Sequence, residues 1–132
     1  MSSVWPQAAA VTIGGAFGAL SRFAVNQLFQ RIGYGGLPTA TLMVNVIGCL
    51  CTGIFLVWVE QRMDPVFWRA LLITGVMGGL TTFSALGLET WQLLRAERWG
   101  LIAATLTAHI GFGVLAVGCG WTLGQALWGA RT

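Results

Sequence analysis

Four long apolar stretches constrain this chain more than any other feature of its sequence. They cover residues 8–29, 39–59, 68–94 and 99–121, and short polar gaps at residues 30–36, 60–64 and 95–98 separate them. An α-helix needs roughly 20 apolar residues to cross the hydrocarbon core of a bilayer. The sequence therefore predicts an all-α membrane protein with four transmembrane helices.

The composition excludes several classes of soluble protein. Of the 132 residues, 56% are hydrophobic and 8% are charged, whereas a soluble domain carries about 25% charged residues. The seven arginines are scattered and form no patch that could follow a phosphate backbone. The sequence contains no carboxylate pair, nucleophile–base set or phosphate-binding glycine loop, so it predicts no enzyme. The gaps are too short to fold separately, which makes residues 1–132 a single four-helix transmembrane domain.

The arginines outside the spans are balanced between the two sides of the predicted membrane. One side carries Arg31, Arg95 and Arg98, and the other carries Arg62, Arg69 and Arg131. Orientation in the membrane follows the bias of Lys and Arg, and no bias exists here. The balance favours insertion in both orientations and an antiparallel homodimer of inverted copies. The alternative is a single orientation that a weak bias, such as that of Arg22, decides.

Glycine spacing in the first and fourth spans predicts close helix packing. Gly14 and Gly18 are four residues apart, and so are Gly120 and Gly124. Small residues at this spacing let the backbones of two membrane helices approach closely.

A polar stripe runs along the second span. Its members recur at helical spacing on one face, and they are Thr41, Asn45, Gly48 and Thr52. Polar side chains inside a membrane either join helices by hydrogen bonds or line a path for a solute. The spacing alone leaves both readings open.

Polar side chains inside the other spans are functional candidates because of their cost in lipid, and they include Arg22, Glu89 and His109. Arg22 either reaches the interface or gives a vestibule a positive potential that attracts anions. Glu89 is the only acid within a span and needs a partner or a proton; the possible partners are Thr82, Ser21 and Arg22, and a structural hydrogen bond near the helix end is the alternative. His109 follows Thr105 by one helical turn, which favours a packed, hydrogen-bonded side chain.

The segment Gly78-Gly79-Leu80-Thr81-Thr82-Phe83-Ser84 predicts a break near the middle of the third helix. A broken membrane helix leaves backbone carbonyls that water, hydroxyls or an ion must satisfy. Oxygen ligands of this kind suit a hard cation. A kink satisfied by the Thr and Ser hydroxyls explains the same pattern, so the residues alone do not decide between them.

These motifs together resemble the CrcB/Fluc family of fluoride channels over nearly the whole chain. Gly14-Gly15 and Arg22 resemble the first-helix pattern of the family. Thr41-Leu42-Met43-Val44-Asn45-Val46-Ile47-Gly48 is similar to its GTLxVNxxG. The segment from Gly75 through Gly78–Ser84 to Glu89 resembles its TGxxGGLTTFSTFSxE, and the three motifs occur in the same order.

The resemblance implies a passive channel that exports fluoride from the bacterial cytoplasm across the inner membrane, built as an antiparallel dual-topology homodimer with two pores. Asn45 matches the pore asparagine and Phe83 the first phenylalanine of the "Phe box". The matches to the polar lining of the pore are Thr41, Thr82 and Ser84. Gly78 and Thr81 match positions whose carbonyls hold a structural sodium ion (Na+) at the dimer interface. Arg22 matches the vestibule arginine.

The chain departs from the family pattern at a few positions. Leu86 stands where the family has the second box phenylalanine; its i, i+3 spacing from Phe83 puts both on one helix face. On the fourth helix, Gly113 replaces a frequent pore serine, while His109 and Phe112 are additional. The alternative function is a proton-coupled exporter resembling the small multidrug resistance transporters, but those need an acid in the first span. A noncatalytic subunit of a larger complex is a further alternative.

Overall fold

The computed structural model describes residues 4–34 and 38–129, and within them it contains helices and no strands. Helix α1 covers Val4–Arg31, α2 covers Thr39–Glu60, and the last helix, α6, covers Trp99–Trp128. The third span, Pro65–Arg95, contains several shorter elements. All four spans are long and apolar enough to cross a membrane, which confirms the predicted all-α, four-span membrane fold.

The third span changes helical form along its length. It begins as α3 (Pro65–Trp68), widens into a π-helical segment (Arg69–Met77) and tightens again as α4 (Gly78–Leu80). Two extended residues follow, Thr81 with ψ 155° and Thr82 with φ −152°, and then α5 covers Phe83–Arg95. The predicted break near the middle of this span is confirmed, whereas the π-helical segment was not predicted.

The break lies at the two threonines rather than at the glycine pair that precedes them. Gly79 is helical because it packs against α1, where an added Cβ would lie 2.5 Å from the Gly15 carbonyl oxygen. Thr82 is extended because it is the N-cap of α5, and an N-cap residue has non-helical backbone angles. Gly79 therefore provides the close contact with α1, and the two threonines carry the change of backbone direction.

Both ends of the third span have capping interactions. At its start, the Asp64 carboxylate accepts a hydrogen bond of 3.0 Å from the Phe67 amide. At its end, Glu97 adopts a left-handed φ of 54°, and the Arg98 amide donates to the Leu93 carbonyl at 3.0 Å. This is the pattern of a Schellman cap, in which the left-handed position is usually a glycine.

Glycines form the seam between α1 and the first half of the third span. A Cβ added at Gly14 or Gly18 would collide with the backbone of that span, at Leu71 and Val76 respectively. On the third span, Gly75 faces Gly14: a Cβ added at Gly75 would lie 3.0 Å from the Gly14 Cα. The structure thus confirms close packing at Gly14 and Gly18.

A second glycine seam joins α2 to α6. A Cβ at Gly120 would collide with the Leu50 carbonyl oxygen, and one at Gly124 would lie 3.0 Å from the Val57 Cβ. Gly53 contributes from the other helix, with its ideal Cβ 2.7 Å from the Trp121 amide nitrogen. The prediction for Gly120 and Gly124 is confirmed, and Gly53 is an addition.

Large apolar side chains cover the outer surface of the four spans, as expected for a protein whose solvent is lipid. Examples are Ile13, Phe17, Leu20, Ile110, Val114 and Leu115. Arg131, one of the six balanced arginines, lies outside the described residues.

Candidate functional site

Asn45 holds the break of the third span against α2. Its Nδ2 donates a hydrogen bond of 3.1 Å to the Thr82 carbonyl, and the Thr82 amide donates one of 2.7 Å to Asn45 Oδ1. This pairing fixes which end of the amide is nitrogen, because an amide N–H must meet an acceptor and a carbonyl must meet a donor. One N–H of the side chain is used by the Thr82 carbonyl, so the second is left for another partner.

Hydroxyl groups organise the N-terminus of α5. The Thr82 hydroxyl accepts a hydrogen bond from the Ala85 amide at 3.1 Å and lies 3.1 Å from the Ser84 hydroxyl. Because α5 begins near the middle of the third span, its first amide groups and the positive end of its dipole lie within the spanning region. This end of α5 favours negative charge.

Two carbonyls at the break lose the partners that a continuous helix would give them. In such a helix the Thr82 amide would bind the Gly78 carbonyl, and the Ala85 amide would bind the Thr81 carbonyl. Here the Thr82 amide donates to Asn45 Oδ1, and the Ala85 amide donates to the Thr82 hydroxyl. Gly78 is exposed on the surface of the chain and Thr81 is half-buried. Neither carbonyl thus receives the amide donor that a continuous helix would supply.

Glu89 has a partner that the sequence analysis did not propose. It accepts a hydrogen bond from the Thr41 hydroxyl, which lies one turn before Asn45 on α2. The proposed partners Thr82, Ser21 and Arg22 are wrong: the Thr82 hydroxyl is engaged at the start of α5, and the Ser21 hydroxyl donates to the Phe17 carbonyl. Across residues 4–34 and 38–129, the one ion pair joins Arg69 to Glu60 and does not include Arg22.

The second carboxylate oxygen of Glu89, Oε2, is buried and has no hydrogen-bond partner in the described part of the chain. A cavity of about 170 Å³ lies beside Glu89 and Thr41, and Asn26 and Tyr34 also line it. Half-buried Arg22 is one turn before Asn26 on α1. Arg22 is therefore placed toward this end of the bundle without contacting the carboxylate.

A larger cavity of about 340 Å³ lies beside the break. The residues that line it are Asn45, Cys49, Thr52, Thr81, Thr82, Phe83, Leu86, His109, Ile110 and Val117. Within the polar stripe of α2, Asn45 thus joins two spans by hydrogen bonds, and Asn45 and Thr52 both line this cavity.

Phe83 and Leu86 line this cavity in different ways. The Phe83 side chain is 84% exposed on the surface of the single chain, whereas Leu86 is 6% exposed. Their shared helix face is consistent with both touching the same cavity, but Leu86 packs inward and the Phe83 ring projects outward. The cavity therefore opens toward the outside of the chain next to Phe83.

His109 is a cavity-lining residue whose position the sequence analysis missed. Its Nδ1 lies 2.9 Å from the Thr105 carbonyl oxygen, which confirms the expected hydrogen-bonded side chain. The signal that could have located it is the period of small and polar residues on α6, because His109 is one turn before buried Gly113. Gly113 faces Cys49 on α2, with its ideal Cβ 3.6 Å from the sulfur. Phe112 lies away from this cavity, on an outward-facing groove of α6.

Comparison with known proteins adds independent evidence about the family. The model of a family described as "CrcB-like protein, Camphor Resistance (CrcB)" matches residues 9–121. A relative from Xylella fastidiosa (strain M23) is 43% identical over 122 residues, covering 91% of each chain. One from Xanthomonas euvesicatoria is 42% identical over 126 residues, covering 93% of each. One from Allorhizobium ampelinum is 42% identical over 118 residues, covering 89% of this chain and 94% of its own.

All three relatives carry the name "Fluoride-specific ion channel FluC". The family match covers most of the chain, including the polar stripe of α2 and the break of the third span. The four-span fold and the matched region agree, and they identify a multi-pass membrane protein. The chain belongs to the CrcB family.

Proposed function

We propose that this chain is a fluoride channel that passively exports the ion from the cytoplasm across the bacterial inner membrane. The observation that carries the proposal is its similarity to relatives named fluoride-specific ion channels, at about 40% identity over most of the chain. The polar break in the third span gives that similarity a physical basis, because it places hydrogen-bond donors at the middle of an apolar protein.

Passage of a small anion requires replacement of its water. Moving such an ion into a low-dielectric interior has an idealised cost of order 20 kcal/mol. The donors available beside the break are the second N–H of Asn45 and the hydroxyls of Thr82 and Ser84. The start of α5 adds the positive end of a helix dipole. Aromatic ring edges are electropositive, so the edge of Phe83 can contact fluoride as well.

Glu89 and Thr41 form the other end of this path. Their hydrogen bond links α2 to α5 two turns beyond the break, next to the 170 Å³ cavity. In the proposed channel the Thr41 hydroxyl extends the track of polar groups toward that cavity. Arg22 gives the same end a positive charge that attracts anions.

A second, inverted copy of the chain completes the proposed pore. Phe83 projects outward beside an open cavity, so another subunit is needed to enclose the ion there. The balanced arginines favour insertion in both orientations, as such a dimer requires. Reporter fusions at the C-terminus should signal from both sides of the membrane, and a single orientation at all expression levels would contradict the antiparallel dimer.

A sodium ion between the two subunits is part of the proposal. The carbonyls of Gly78 and Thr81 have lost their helical donors, which suits a hard cation with oxygen ligands. Its role is structural, because an ion held by carbonyls of two chains links them. Thr81→Ser keeps the carbonyl and should retain the ion. An experimental density map with protein donors on both carbonyls and no ion between them would contradict this site.

The test of the function is fluoride efflux from liposomes that contain the purified protein. A channel releases fluoride down its own gradient once a potassium ionophore balances charge, with no proton gradient. Strict dependence on a proton gradient would instead support an exporter like the small multidrug resistance transporters. Absence of any flux would support a noncatalytic subunit.

A further inference from the structure

His109 holds its proton on the nitrogen that faces its own helix. Nδ1 lies 2.9 Å from the Thr105 carbonyl oxygen. Because a carbonyl can only accept, Nδ1 must donate, and a neutral ring then has no proton on Nε2. The hydrogen bond thus fixes the tautomer: neutral His109 presents a lone pair at its outer nitrogen.

That outer nitrogen is buried and has no partner. The residue is 9% exposed, and within the described ranges Nε2 has no hydrogen-bond partner. His109 lines the 340 Å³ cavity together with Asn45 and Phe83. A buried polar atom without a partner is unfavourable, so the site favours a ligand that can bind at Nε2.

None of the described residues that line the cavity beside the ring carries a permanent charge. The cavity is lined by Asn45, Cys49 and Thr52 of α2. Phe83 and Leu86 of α5 also line it. Of the side chains that line it, Cys49 is the only other one that can titrate. No carboxylate among the described lining residues of the chain balances a protonated ring, so a bound anion can supply the balancing charge.

We propose that His109 is an anion-binding position that takes up a proton together with fluoride. The inference rests on the proposed channel function. Neutral His109 has only a lone pair at Nε2, which repels an anion. The protonated ring keeps its bond to Thr105 and donates from Nε2–H to fluoride. The proton comes from water on the side where fluoride enters and returns to that same side when fluoride moves on, so that only the fluoride charge crosses the membrane.

Joint uptake is favourable because the pair is neutral overall. A lone cation or a lone anion is costly in an apolar cavity, whereas a hydrogen-bonded pair is much less so. Binding of the two ions is then linked: each raises the affinity for the other by the same factor. In the fully coupled limit, the apparent fluoride affinity at this position rises tenfold for each unit fall in pH.

Nitrogen NMR of the histidine ring tests this directly. His109 is the single histidine of the chain, so ¹⁵N-histidine labelling gives one set of ring signals. We expect the Nδ1–H tautomer in the neutral ring. Added sodium fluoride should move the midpoint of the ring titration to higher pH, by up to one unit per tenfold fluoride, and sodium chloride should not. An Nε2–H tautomer, or a midpoint independent of fluoride, would overturn the proposal.

Liposome efflux measured from pH 5.5 to 8.5 supplies the functional readout. The parent should conduct faster as pH falls, and His109→Gln, which cannot titrate, should have a flat profile. Cys49→Ser, which removes the other titratable group of the cavity, should keep the pH slope of the parent.

Equal pH slopes in the parent and His109→Gln would overturn the role of His109 and leave the channel function intact. A parent that releases no fluoride at any pH would overturn the channel function, while the NMR titration still decides whether His109 binds the ion. The NMR measurement uses the unaltered protein, so a folding defect in His109→Gln does not remove the test.

Discussion

Replacing Asn45 with alanine should destabilise the chain more than the loss of an ordinary interhelical hydrogen bond. The Asn45 amide satisfies both the N–H and the C=O of Thr82, at 2.7 and 3.1 Å. Thr82 is extended, so neither backbone group can return to a helical partner without rebuilding the start of α5. Asn45→Ala leaves both groups without a partner inside the membrane.

The magnitude follows from those two orphaned groups. A buried polar group left without a partner costs about 1–3 kcal/mol. Allowing for partial relaxation, we expect Asn45→Ala to lower the free energy of unfolding by about 2–4 kcal/mol. Hydrogen bonds between membrane helices average only about 0.6 kcal/mol, because their partners usually find alternatives. The Thr82 backbone has none, which makes the difference measurable.

Unfolding in mixed micelles with increasing dodecyl sulfate, followed by circular dichroism, measures this change. Thr52→Ala is the matched control: it lines the same cavity, but its hydroxyl donates only to the Gly48 carbonyl of its own helix, at 2.7 Å. Its cost should stay below about 0.5 kcal/mol, because the Gly48 carbonyl keeps its helical amide donor when the hydroxyl is removed. If Asn45→Ala lowers the free energy of unfolding no more than Thr52→Ala does, then the Thr82 backbone does not depend on Asn45 for its hydrogen bonds.

Four further single substitutions and one double substitution test other parts of the structure. Phe83→Ala should greatly reduce fluoride efflux with little loss of stability, since the ring is 84% exposed. Leu86→Phe should fold, although the added ring enters the cavity and lowers the stability by about 1–2 kcal/mol. It should also change the efflux rate. Parent-like efflux in Phe83→Ala would refute the ring-edge contact. Gly48→Ala should destabilise the chain because its Cβ collides with the Thr81 methyl group. Adding Thr81→Ser removes that methyl group and should recover most of the lost stability in a double-mutant cycle. Glu97→Gly should stabilise the chain by about 0.5–1 kcal/mol in the same dodecyl sulfate titration, because φ is +54° there; a loss of stability would contradict the strain at this cap.

The four spans could be predicted because hydrophobic length depends on local sequence alone. The break could also be predicted, since adjacent glycines and three hydroxyl residues rarely continue a regular apolar helix. Its position by residue could not, because the roles of Gly79 and Thr82 depend on partners elsewhere in the chain. Gly79 packs against α1, and Thr82 forms hydrogen bonds with Asn45 on α2.

The same limit applies to the candidate site. Spacing placed Thr41 and Asn45 on one face of α2, but it could not say that Thr41 binds Glu89, 48 residues later. His109 was interpreted as a packed residue because nothing adjacent in sequence marks it. Only the packing of α6 on α2 and α5 brings it to the cavity beside Asn45.

The two glycine seams have a consequence for how the protein is made. They join helices that are not neighbours along the chain: α1 packs chiefly on the first half of the third span, and α2 on α6. As the ribosome delivers the spans in order, α1 and α2 therefore enter the lipid before their main partners exist. α1 must persist until the first half of the third span follows it, and α2 must persist until α6 is made. The long apolar runs of the first two spans thus have a second role: they keep each helix in the bilayer until its partner has been synthesised.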